Sequence, residues 1–277
     1  MPTATVNGIN IYYERHGDGA PLLWIGGLGA NLAEIPYLID AYSRHFEMIV
    51  FDGRGCGRSD KPEEDYSIEG FADDAAALLD ALDVPAAFVY GSSMGGMIAQ
   101  QLTLRHPARV RALILGCTTA GAVNGVRPAV ETVQKMVHNQ TLSGDEAIAA
   151  GWSLGYSAAY IESHWDALME RSRSASRYAA PAASYMRQVI ASAKHDVWDH
   201  IGTIECPVMI IHGSEDLMIP VGNAHLIKER LPHAELHILD GMGHGYNLEG
   251  QAQADPLVID FVQRHVGVSE SETSAVR

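Results

Sequence analysis

The sequence predicts an α/β protein: a mostly parallel, eight-stranded sheet with helices on both faces and one helical insertion. Three observations carry this expectation. Short apolar runs alternate with helix-spaced segments along most of the chain. The runs are apolar at successive positions, as strands must be when helices cover a sheet from both sides. From 121 to 205 the alternation stops, and only helix-forming stretches remain.

At the N-terminus, Thr3–Val6 and Ile9–Tyr13 flank Asn7-Gly8, a pair that supplies the positive φ angles of a tight hairpin turn. Six further strands are expected at Pro21–Ile25, Phe46–Phe51, Ala86–Tyr90, Arg111–Gly116, Val208–Ile211 and Glu235–Leu239. Ile68–Leu82 and Met97–Arg105 carry apolar residues at helical spacing, and Gln251–His265 reads as a closing helix that Pro256 should break or kink. The 121–205 stretch holds Trp152, Trp165 and Trp198, with seven basic and nine acidic residues, so it is far less acidic than the remainder. Residues 1–120 and 206–277 are thus expected to form the core, 121–205 a helical lid, and 268–277, rich in Ser and Glu, a frayed tail.

Composition excludes several functions. With 34 acidic against 19 basic residues the net charge is -15, which offers nucleic acid or an anionic membrane no attractive face. Cys56, Cys117 and Cys206 are widely scattered, forming neither a disulfide framework nor a zinc cluster, and they suit a reducing compartment. Met1–Asn10 lacks the basic and apolar regions of a signal peptide, and no apolar run approaches the roughly 18 residues of a spanning helix. A cytoplasmic protein without metal or cofactor is the expectation; its composition is compatible with a homo-oligomer.

Two segments match Gly-x-Ser-x-Gly: Gly91–Gly95 and Gly151–Gly155. The pattern works only as a strand-to-helix elbow that pushes the serine outward. An apolar run precedes Gly91 and a helix-forming stretch follows Ser93, whereas a helix-forming stretch precedes Gly151. Ser93 is therefore the candidate nucleophile and Ser153 is scaffold. A serine needs a base to take its proton and a carboxylate to orient that base. Thirteen histidines compete. His212 and His237 lie inside strand runs, where packing or hydrogen bonding accounts for them; His45, His106, His225 and His265 lie on or beside helices. His244 instead follows the Glu235–Leu239 strand in a glycine-rich loop, at the strand end where ligands of open α/β sheets gather. The same logic selects the acid from Gly213-Ser-Glu-Asp216, leaving Asp216 and Glu215 as candidates.

This chain order, with an insertion before the acid, resembles the α/β-hydrolase superfamily. Smaller motifs agree: Asp52-Gly-Arg-Gly-Cys-Gly-Arg-Ser59, Arg105–Val110, and Gly243-His244 followed by Glu249. Gly213-x-x-Asp216 matches the family's acid motif, which favours Asp216 over Glu215. Within the superfamily, Gly26–Leu32 and Tyr66–Gly70 look most like 3-oxoadipate enol-lactonases and related carboxylesterases, although this chain has Gly26 where many members carry a histidine. The resemblance implies hydrolysis of a small to medium carboxylic ester or lactone through an acyl-serine. The backbone N–H of Met94, the residue after the nucleophile, should stabilise the oxyanion, with Leu28 implied by resemblance as the second donor. Other members that keep the triad act as cofactor-free perhydrolases or haloperoxidases, as carbon–carbon hydrolases, or as small-molecule receptors. The 121–205 segment should close the pocket, with Trp152, Trp165, Met136 and Met186 as candidate lining residues. Arg171, Arg173 and Arg177 form its basic cluster; Arg173 and Arg177 share a helical face expected to be solvated, leaving a pocket for mostly uncharged acyl esters.

Overall fold

The computed structural model describes residues 2–139 and 141–267. The expected tail, 268–277, lies outside the described residues.

The chain opens with a hairpin, β1 (Thr3–Val6) and β2 (Ile9–His16), turned by Asn7 and Gly8 at φ 47° and 81°. β3 (Pro21–Ile25), α1 (Pro36–Tyr42) and β4 (Glu47–Phe51) follow, then α2 (Ile68–Ala81), β5 (Ala87–Ser92), α3 (Met94–Arg105) and β6 (Val110–Gly116). Four helices fill the interval before the next strand: α4 (Val130–Asn139), α5 (Gly144–Gly155), α6 (Ala158–Ser176) and α7 (Ala182–Lys194). The chain ends with β7 (Val208–Gly213), α8 (Gly222–Arg230), β8 (Glu235–Leu239), the single turn α9 (Tyr246–Glu249) and α10 (Gln251–Val266). Pro256 does not divide α10, which stays helical across it.

The eight strands form one sheet in the order β1-β2-β4-β3-β5-β6-β7-β8. β2 pairs antiparallel with β1 and β4, and every other neighbour is parallel. The interior strands β5 and β7 are buried at every position, as strands covered by helices on both faces must be. Two apolar layers result. One face packs Phe71, Leu78, Ile98 and Leu102 of α2 and α3; the other packs Leu38, Tyr42, Val258 and Phe261 of α1 and α10. A separate small cluster of Trp152, Leu168 and Met169 joins α5 to α6. The ends of β3, β5, β7 and β8 therefore converge beneath the inserted helices, where α6 touches the loop after β3.

Candidate active site

Ser93 caps the start of α3 at φ 59°, ψ −123°, a left-handed conformation that costs a non-glycine residue roughly 1–3 kcal/mol. The surroundings over-determine it. Its N–H donates to the Gly116 carbonyl at 2.9 Å, and its own carbonyl accepts from Thr118 Oγ1 at 2.8 Å. The motif glycines are required by contact: a Cβ on Gly95 would lie 2.0 Å from the Ile25 carbonyl oxygen, and one on Gly91 would lie 2.2 Å from that of Gly95. The elbow thus forms because α3 must begin directly against β3.

The second Gly-x-Ser-x-Gly has a different role. Ser153 sits within α5, its hydroxyl donating to the Ala150 carbonyl at 2.7 Å. Gly155 lies against the histidine loop, its carbonyl accepting from Gly245 N–H at 2.8 Å.

Asp216 is buried just past β7. Its Oδ1 accepts from the N–H groups of Met218 and Ile219, both at 2.9 Å, and its Oδ2 lies 2.7 Å from His244 Nδ1. Glu215 is exposed and points elsewhere. Burial alone would raise the Asp216 carboxyl, but His244 and His212 beside it hold it well below the usual carboxylate range. His212, buried in β7, places Nε2 2.8 Å from the Ile219 carbonyl and 3.2 Å from Asp216 Oδ2, which accounts for that strand histidine. For His244, burial disfavours the imidazolium, but Cys117 and Asp216 outweigh it and hold the ring above its usual value. Its Nε2 faces Cys117 Sγ at 4.0 Å. No hydrogen bond joins His244 to the Ser93 hydroxyl among the described residues.

Ser93 and His244 line one cavity of about 590 Å³ between the strand ends and the inserted helices. Gly27, Leu28 and Gly29 line it beside Ser93, and a Cβ on Gly27 would reach within 3.1 Å of Ser93 Cβ. The backbone N–H groups of Leu28 and Met94 have no acceptor among the described residues, leaving both available at this wall.

Three pocket expectations are corrected. Trp152 lines the cavity, but Trp165, Met136 and Met186 do not. Trp165 is 46% exposed and packs edge-on against the far side of Trp152, and Met186 is 54% exposed. Met136 is on α4, whose side chains do not reach the cavity. Side-chain type does not specify how a helix is rotated about its axis, and here the small cluster between α5 and α6 sets that rotation. Arg173 is exposed and paired with Asp145, and Arg177 is exposed, whereas Arg171 turns into the cavity. Leu168 and Ala175, at i−3 and i+4 from Arg171 on the same helix face, are both buried.

Sequence reasoning picked out the Asp52–Ser59 motif without its role and missed Gln188, and both brace the loop after β3. Asp52 Oδ1 accepts from Leu32 N–H at 2.8 Å, while its Oδ2 accepts from Arg58 N–H and Nε. Gln188 of α7 is fully buried and accepts from Gly29 N–H at 2.9 Å, while its Nε2 donates to the Arg54 carbonyl at 3.1 Å. This bridge supports a loop in which Gly26 offers no side chain. Gln188→Leu should lower kcat roughly tenfold or more and lower Tm, because buried partners left unpaired cost about 1–3 kcal/mol each. Steady-state kinetics and a thermal melt on one preparation check both. Glu249, five residues past His244, accepts from Ser157 N–H at 3.0 Å and from the Ser157 hydroxyl, anchoring the start of α6 to the histidine loop.

Residues 20–251 match the alpha/beta hydrolase fold family. The chain belongs to that family, and it is a hydrolase. Among curated relatives, a poly(3-hydroxyalkanoate) depolymerase of Ectopseudomonas oleovorans is 30% identical, over 88% of this chain and 84% of the relative. A 3-oxoadipate enol-lactonase of Acinetobacter baylyi is 28% identical, over 95% of this chain and 96% of the relative. The crystal structure of the enol-lactonase from Burkholderia xenovorans LB400 superposes with a TM-score of 0.82 at 26% identity, covering 95% of this hydrolase and all of that chain. Among the described residues of this hydrolase, no helix is long and apolar enough to cross a membrane.

Proposed function

We propose that this hydrolase cleaves small to medium carboxylic esters or lactones through an acyl-serine intermediate, with Ser93, His244 and Asp216 as its triad. The observation that carries the reading is the strained elbow of Ser93, opening on the cavity that His244 shares while Asp216 holds Nδ1. With Asp216 accepting at Nδ1, the neutral ring presents its Nε2 lone pair to the hydroxyl. Nε2 takes the proton as Ser93 Oγ attacks the acyl carbon, and the oxyanion meets the N–H groups of Leu28 and Met94. The imidazolium then returns that proton to the leaving alcohol. Water, deprotonated in turn by His244, releases the acid.

The 121–205 helices serve as the lid and set the acyl length accepted. A cavity of about 590 Å³ is within the range of small-molecule sites and supports short to medium acyl chains. The test is hydrolysis of p-nitrophenyl esters across acyl lengths, together with simple lactones, against a Ser93→Ala control. Turnover that does not fall in the control would reject the reading. A fluorophosphonate probe should label Ser93, and Ser153→Ala should retain most activity, since its hydroxyl is engaged inside α5; mass spectrometry of the labelled peptide decides between the two serines.

A further inference from the structure

The cavity carries two charged side chains that the reaction does not use. Arg171 enters from α6 and Glu34 from the loop after β3. Arg171 makes no ion pair among the described residues. One of its N–H groups donates to the Tyr156 hydroxyl at 3.3 Å, and its guanidinium lies 5.3 Å from the centre of the Tyr37 ring. Most of its donors therefore remain free toward the cavity. Glu34 accepts from Asn31 Nδ2 at 3.2 Å and does not touch Arg171.

We propose that Arg171 and Glu34 together select the substrate: Arg171 binds a carboxylate carried by the ester or lactone, and Glu34 takes up a proton as that anion enters. The inference rests on the esterase reading above and names the substrate class of the same site, replacing the expectation of mostly uncharged acyl esters. Guanidinium forks bind carboxylates in pairs of parallel hydrogen bonds, and Arg171 is a guanidinium lining this cavity that forms no ion pair among the described residues, Glu34 acting on it only at longer range. Other charges nearby are already engaged. Asp52 is held by Leu32 and Arg58, Glu249 by Ser157, and Arg173 by Asp145.

Glu34 supplies the proton link. Burial, with a smaller push from Asp52, raises its carboxyl to about 7 against the pull of Arg171 and Asn31. Tyr37, Tyr156 and Cys56 also face it, and none of these carries a positive charge. A second anion at Arg171 repels ionised Glu34, so the complex favours its protonated form. Below about pH 7 the free protein already holds that proton. Above it, binding must draw a proton from solvent, and affinity for a carboxylated ligand should fall with pH by up to about tenfold per unit.

The test compares monoethyl adipate with ethyl hexanoate. Calorimetry on Ser93→Ala, in buffers of different ionisation heat, reads affinity and proton uptake without turnover. Monoethyl adipate should bind at least tenfold more tightly at pH 6.5 than at 8.5, taking up close to one proton at the higher pH. Adding Arg171→Gln should weaken it by 10- to 100-fold while changing ethyl hexanoate less than threefold. Adding Glu34→Gln should flatten the pH dependence and keep the preference for the carboxylated ligand. Equal weakening of both ligands by Arg171→Gln, or a pH slope that survives Glu34→Gln, overturns the proposal. Wild-type turnover of ethyl hexanoate is read separately: its absence rejects the esterase reading, whereas turnover without carboxylate preference rejects only the Arg171–Glu34 pair.

Discussion

Ser93→Ala should reduce ester hydrolysis by on the order of 10⁵-fold or more in kcat, because members of a nucleophile triad act as a unit and, under the proposed mechanism, the substitution removes the attacking atom of the acyl-enzyme route. The variant should fold normally. Alanine is smaller than serine, the left-handed backbone is held by the Gly116 and Thr118 hydrogen bonds rather than by the hydroxyl, and Ser93 Oγ has no partner among the described residues whose loss would be felt. The two outcomes are measured together, kcat against p-nitrophenyl acetate and Tm by calorimetry. A variant that keeps a tenth of the wild-type rate would remove Ser93 from the chemistry.

Asp216→Asn should cost about 10³- to 10⁴-fold in kcat and move the pH profile. In the proposed triad His244 acts as base only when neutral, so kcat/KM should fall as pH drops through the pKa of this ring in the folded protein. Asp216 contributes to holding that pKa above the ordinary value of about 6.5, so the acidic limb should have its midpoint above 6.5 in the wild type. Losing the carboxylate removes that support, and the midpoint of the residual activity should shift to lower pH. An amide can also donate to Nδ1, which favours the wrong tautomer and accounts for most of the rate loss. Profiles of kcat/KM between pH 5 and 9 for both proteins check this. An unchanged limb in Asp216→Asn, or a larger loss in Glu215→Gln, would move the acid away from Asp216. The second outcome is opposed by the exposure of Glu215.

Strand positions were legible because parallel strands buried on both faces have few alternatives, and β3 runs over Pro21–Ile25 as its apolar run predicts. The elbow was equally readable. Gly91 and Gly95 stand where a Cβ would collide with backbone, a local requirement written into residue identity. Asp216 and His244 could be chosen because strand ends in such a sheet point to one place, and the structure brings them within 2.7 Å. Gln188 had no comparable signal. It lies far along the chain from Gly29, and only the docking of α7 makes them partners.

The sequence by itself determined the class of sheet, the positions of its strands, the elbow at Ser93 and the loops that carry Asp216 and His244. These depend on local backbone geometry and on periodic burial, both short-range properties of a chain. Tertiary structure alone decided which side chains of the inserted helices enter the cavity. Arg171 faces Glu34 while Arg173, two residues on, meets solvent and Asp145, and Trp152 lines the cavity while Trp165 packs behind it. The physical reason is rotation. A helix turns about 100° per residue, so small changes in how α5 and α6 pack against each other exchange the inward and outward sets. That packing is settled by Trp152, Leu168 and Met169 and by Glu249 at the start of α6, contacts between segments that no local pattern encodes.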